Sequence, residues 1–194
     1  MKTVTYEEFL LFVSEWIFDE ESVKAYFDRF GGKMSALDIL KLGDVSAEDK
    51  LSIGLEEELI PSSILHEFAC VCAEYALSIV KEPDPCSVKA IEVKRAWLRG
   101  EATKGDLAIA QYAAYDAAVD AACGAAYWAT QAAVDAACDA ARYAARAAAY
   151  DATWAAACAA GAPGAPGAHA YEAAEAAVFE AQVAYLIMTL EEEE

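Results

Sequence analysis

The sequence predicts an all-α protein: a helical bundle with one very long alanine-rich helix and a C-terminal helix packed back on it. Three observations carry this. Residues 106–160 hold 28 alanines in 55 positions, with no proline and a single glycine, Gly124. Alanine loses no side-chain entropy on folding and is the strongest helix former. Helix-start residues and helix-stop glycines punctuate the rest of the chain, and no run alternates apolar with polar residues long enough to claim a strand.

The elements follow in order from these signals. Thr5 with Glu8, Ser35 with Asp38, Ser46 with Asp49 and Thr103 with Asp106 each have the spacing of a capping box, in which the two side chains satisfy each other's backbone N–H groups. Gly31-Gly32, Gly43 and Gly100 sit where a helix-ending glycine belongs, and Pro61 suits the first turn of the next helix. Helices are expected near 5–18, 20–30, 35–42, 46–59, 61–81, 87–99, 104–160 and 169–190. Gly161-Ala-Pro-Gly-Ala-Pro-Gly167 cannot continue a helix, so the chain turns there and its last helix folds back on the alanine tract. The composition shift divides the chain into a helical region 1–100 and an alanine-rich region 101–194.

Within the tract, Ala-Ala-Val-Asp-Ala-Ala-Cys occurs at 117–123 and again at 132–138, a separation of 15 residues. A seam following that spacing drifts with a right-handed sense, because 15 residues over four turns exceeds the 3.6-residue period. Two copies are too few for a solenoid. Asp139 and Arg142 stand three apart, as a helix-surface ion pair would.

The formal net charge is −19. It is concentrated at 106–194, where 13 acids face only Arg142 and Arg146, whereas 61–105 is neutral. Direct binding to nucleic acid or to an anionic membrane surface is thereby disfavoured, and a basic protein partner favoured. The start of the chain turns acidic before any apolar signal core forms. The tract carries Asp116, Asp120, Asp135, Asp139 and Asp151, each costly in hydrocarbon. A soluble protein of the host-cell cytoplasm, with its six cysteines reduced, is the expectation.

Chemistry is scarce. His66, Cys70 and Cys72 lie within seven residues, but on a helix Cys72 points away from the other two, and zinc needs three or four convergent ligands. No nucleophile motif, phosphate loop or metal-protease motif is present. No enzymatic role, metal or cofactor is therefore expected.

The stretch Ala69-Cys-Val-Cys-Ala-Glu-Tyr-Ala-Leu77, then Ala90-Ile-Glu-Val-Lys-Arg-Ala-Trp-Leu-Arg-Gly-Glu-Ala-Thr103, then the alanine tract, resembles a family of phage- and prophage-encoded alanine-rich helical proteins. Some members carry an immunity-protein label. The resemblance covers about 23–160 and implies a mobile-element accessory protein; it brings no functional residues with it. Relatives mix arginine with aspartate through the tract, whereas arginine is nearly absent here, which makes this surface more acidic.

Together these readings lead to an expected function: a phage-encoded inhibitor of a bacterial defence system, of the anti-CRISPR kind. It would bind stoichiometrically to a basic host surface that otherwise holds nucleic acid. The residues expected to meet the partner are Asp116, Asp120, Asp135 and Asp139, the aromatics Tyr115, Trp128 and Trp154, and Glu56, Glu57 and Glu58. An immunity protein neutralising a toxin is the second expectation. A helical scaffold or virion protein, self-associating as a homodimer or larger assembly through its alanine faces, is the third.

Overall fold

A computed structural model describes residues 2–11, 20–121, 124–160 and 169–193. These residues form β1 (Thr3–Thr5), α1 (Tyr6–Leu10), α2 (Glu20–Arg29), β2 (Lys33–Ser35), α3 (Ala36–Leu40), α4 (Ala47–Gly54), α5 (Ser62–Ile79), α6 (Pro85–Leu98), α7 (Lys104–Ala121), α8 (Gly124–Ala136), α9 (Ala141–Ala160) and α10 (His169–Glu192). The protein is all-α, as its composition predicts. The continuation of the first predicted helix beyond residue 11, Cys123, and the Gly-Pro turn at 161–167 lie outside the described residues.

Local rules account for most boundaries. Thr5 and Ser35 form complete capping boxes with Glu8 and Asp38. Ser46 accepts from the Asp49 N–H, and Thr103 both accepts from the Asp106 N–H and has its own N–H bound by the Asp106 carboxylate. Gly31, Gly32 and Gly100 take the left-handed φ values of 74°, 84° and 75° that end α2 and α6. α6 starts two residues earlier than expected, because Asp84 caps it and Pro85 fills the first position. One short antiparallel ladder was not expected: Val4 sits opposite Met34, both buried. Three-residue strands are too short for periodicity to register.

The very long helix is the main correction. Residues 104–160 form three helices rather than one, and the longest described helix is α10, with 24 residues. The first break coincides with Gly124, where the lone glycine of the tract makes a kink the expected weak point, and its φ of 80° suits a residue without a Cβ. The second, at 137–140, has neither glycine nor proline and coincides with a contact from another helix. Lys94 of α6, fully buried, donates from Nζ to the Cys138 carbonyl just past the end of α8, and lies 4.4 Å from the Trp97 ring centroid. A cation at a helix C-terminus is favoured by the helix dipole, and here it also satisfies a carbonyl that the helix leaves unpaired. Burial pulls the Lys94 ammonium down to about 8. Beside it, burial and Lys94 together hold His66 at about 4, so the imidazole is neutral, edge-on to Trp97 at 5.3 Å.

The three alanine-tract helices occupy different layers. α9 packs on α5, α8 and α10, α5 also meets α8, and α7 pairs with α6 and α8 at the outside. Ala129, Ala132, Ala133, Ala136, Ala144, Ala145, Ala148 and Ala152 are all fully buried at these contacts. These alanine faces of α8 and α9 are therefore interior. α10 returns along α9, with Ala149 meeting Gln182 and Tyr150 meeting Phe179, the reversed order of antiparallel neighbours. Among the described helices, α10 contains the one stretch long and apolar enough to cross a membrane, Glu172–Glu192. In this fold its Val178, Phe179, Val183, Leu186 and Leu190 are buried.

Candidate functional site

α7 is built inside out. Its small residues face inward: Ala110, Ala114 and Ala118 join Leu107 in the buried row, with Leu107, Ala110 and Ala114 packed in one cluster with Ala90 and Val134. Its other large apolar residues face solvent. Ile109 is 71% exposed, Tyr112 73%, Tyr115 51% and Val119 58%, and Asp116 and Asp120 share that surface. At 100° per residue these six positions fall on one side of the helix. An exposed apolar patch of this kind, with charges among it, marks an interaction surface.

Along one edge of that surface runs a cleft of about 820 Å³ between α7, the start of α8 and the loop joining α5 to α6. Asp116 and Asp120 stand on its α7 wall, with Glu82 and Asp84 of the loop and Cys86 in the first turn of α6 also lining it. The floor is apolar, made of alanines with Leu77 and Val80. The loop is held in place by Pro83, Pro85 and the Asp84 cap, which accepts from the Cys86 N–H at 2.7 Å. No ion pair to Asp116, Asp120 or Glu82 forms among the described residues, so the wall charges are unneutralised within the fold.

Of the ten residues expected to meet a partner, the structure brings together Tyr115, Asp116 and Asp120. The other seven lie elsewhere. Asp135 is buried and faces the equally buried Asp151, so it is unavailable to a partner. Asp139 is exposed but pairs with Lys104 at 3.0 Å, and not with Arg142; the Lys104 ammonium holds its carboxyl below the usual range. Trp128 is half-buried, stacked on Trp154 at 5.7 Å, and Trp154 keeps 40% of its surface exposed. Glu56 is buried, bound by Arg142 at 2.7 Å and Arg146 at 3.5 Å; burial pushes its carboxyl up while the two guanidiniums pull it down. Glu57 accepts the Arg142 N–H at 3.3 Å, and Glu58 is exposed without a place in the α7 surface. Both arginines of the tract thus hold α9 to the loop after α4.

Ile109, Tyr112 and Val119 were not expected at the site, and neither were Glu82, Asp84, Cys86 and Thr130. The Pro83-Asp84-Pro85 run does carry the signal of a capped, rigid helix entry. Nothing in the sequence places it opposite Asp116. Among the described residues, no group of three or more His, Cys, Asp or Glu side chains is arranged to hold a metal ion. Compared with known proteins, the chain matches no family model, no curated protein and no solved structure.

Proposed function

We propose that the protein is a stoichiometric binding protein that docks a basic surface of a protein partner through the outer face of α7. The observation that carries this is the exposure of Ile109, Tyr112, Tyr115 and Val119 beside the unpaired Asp116 and Asp120. Burying such side chains is worth about 1.5–3 kcal/mol each. The acids select a cationic partner and speed its approach. A second copy of the chain is a poor occupant, since it would bring Asp116 and Asp120 against their own kind between two bodies of charge −19.

The family resemblance implies a mobile-element accessory protein, and with the small size and acidity it leads us to a phage-encoded inhibitor of a host defence protein, of the anti-CRISPR kind, acting in the host cytoplasm on a surface that otherwise holds nucleic acid. The charge of −19 supports that reading. The immunity-protein reading uses the same face and the same physics with a basic toxin as partner.

The test is capture of a basic host protein by the immobilised chain at low and high salt. Ile109→Ala/Tyr112→Ala and Asp116→Lys/Asp120→Lys should each abolish capture, the charge variant chiefly by slowing association. Capture unaffected by both variants would place the interface elsewhere.

A further inference from the structure

We propose that the cavity between α5 and α10 is a binding site for a simple phenol, a single small uncharged aromatic ring carrying a hydroxyl group. Its described lining comes from α5 and α10 alone, so the assignment is independent of the docking face on α7.

α5 and α10 both pack on α9, and between them lies a cavity of about 110 Å³. Its inner end is formed by Phe68, Cys72, Val178 and Gln182, all buried, and its opening by Tyr75 and Ala181, both exposed. The rings of Phe68 and Tyr185 stack at 6.2 Å with their planes 27° apart, which gives the cavity a flat aromatic wall. Flat rings receive another ring in an offset or edge-on arrangement. No charged side chain is among the described lining residues, so an ionic guest would lose its hydration without compensation. An enclosed apolar cavity of about 150 Å³ takes up benzene. One ring with an edge at the opening therefore fills this smaller one.

Gln182 sets the polar requirement. It is 7% exposed, and its Nε2 donates to the Ala149 carbonyl of α9 at 3.0 Å. That bond fixes the amide. Its other arm, Oε1, is buried and has no hydrogen-bond partner among the described residues. An acceptor buried in this way carries a desolvation penalty that a ligand donor removes. A hydroxyl is the smallest group that brings such a donor to the ring. Water meets the need poorly, since a buried water makes about three hydrogen bonds and this wall is almost wholly apolar. A peptide side chain is also a poor guest, because its backbone N–H and C=O groups would arrive at an opening made of Tyr75 and Ala181.

Fluorine NMR titration with para-fluorophenol and para-fluorotoluene tests the assignment, since the two differ in a hydroxyl against a methyl of similar size. The toluene is the more apolar and would win in a cavity that is merely greasy. With Gln182 as acceptor, the phenol should bind at one site per chain and about fivefold more tightly than the toluene, the scale of one net hydrogen bond. Gln182→Met removes the acceptor at similar size and should reverse the preference. Ala181→Trp puts a large side chain at the opening and should abolish binding of both probes. Ala173→Trp, exposed on α10 and outside the lining, should leave both unchanged. If Gln182→Met fails to fold, the two probes on the wild type and on Ala181→Trp still decide. Four results would overturn the assignment: no binding of either probe, the toluene binding as tightly as the phenol, binding that survives Ala181→Trp, or N-acetyltyrosinamide displacing the phenol at equal concentration, which would mark a peptide side chain as the guest.

Discussion

Asp151 of α9 faces Asp135 of α8 in the interior, each residue 8% exposed. Two buried carboxylates cannot face each other while both are charged, so the pair holds a proton. Burial first, and then the neighbouring Asp135, push the Asp151 carboxyl far above the ordinary carboxylate range. The Tyr143 hydroxyl also faces Asp135, and its own titration is pushed up by that charge and by burial. The Asp151 Oδ2 has no hydrogen-bond partner among the described residues.

The folded protein therefore keeps a proton that the unfolded chain releases near pH 4. The stabilisation from this group is complete below that pH and is lost as pH rises through the neutral range, by at most about 1.4 kcal/mol per unit. Asp151→Asn keeps a donor and has no proton to lose. Denaturant titrations at pH 5 and pH 8 should show the wild type losing stability relative to this variant; parallel losses would show that the pair holds no proton.

The Glu56 contact predicts an asymmetry. Glu56→Gln frees two arginines that already reach solvent, and should cost about 1 kcal/mol, the worth of an ordinary hydrogen bond. Arg142→Ala/Arg146→Ala strands a carboxylate that is 1% exposed, and should cost about 3 kcal/mol or more. Urea midpoints will order the two variants, and the reverse order would mean that Glu56 is solvated.

Lys94 gives the opposite pH trend to Asp151. Its folded-state value of about 8 lies below the unfolded one, so stability from this group rises as pH climbs from 8 towards 10. Thermal melts across that interval should show the rise in the wild type relative to Lys94→Met. The variant should also be less stable at neutral pH, because the Cys138 carbonyl loses its donor.

The thiols should react in a fixed order. Cys86 is exposed, whereas burial pushes Cys70 up to about 12 and Cys72 higher still. Mass-spectrometric mapping of alkylation in the native state should find Cys86 modified well before Cys70 or Cys72, and all described cysteines free once the chain is unfolded. Early modification of Cys72 would contradict the packing of α5.

The helix starts were legible because a cap is a local device: Thr5, Ser35 and Thr103 each find their partner three residues on. The duplicated heptapeptide shows where local reading stops. Val119 and Asp120 are exposed on α7, while their counterparts Val134 and Asp135 are buried on α8. Identical residues have opposite surroundings because α7 lies at the edge and α8 against α5 and α9. Composition cannot distinguish these cases. The break at 137–140 was hidden for the same reason, since Lys94, which binds the carbonyl there, lies 44 residues away from Cys138. The exposure of Asp116, Asp120 and Tyr115 was legible because large or charged residues on an alanine background must project somewhere. The loop that completes the cleft needed the three-dimensional fold.

The fully buried alanines carry a consequence for how this protein can change over time. Where methyl meets backbone, every larger side chain is a wedge, and overpacking costs about 1–3 kcal/mol per insertion. Positions such as Ala133, Ala145 and Ala152 thus admit few alternatives, while the outward positions of α7 are free to drift towards a new target. Descendants of such a chain would keep the rhythm of their small residues and lose almost every letter between them. Kinship in this architecture is written in the places where nothing bulky is allowed.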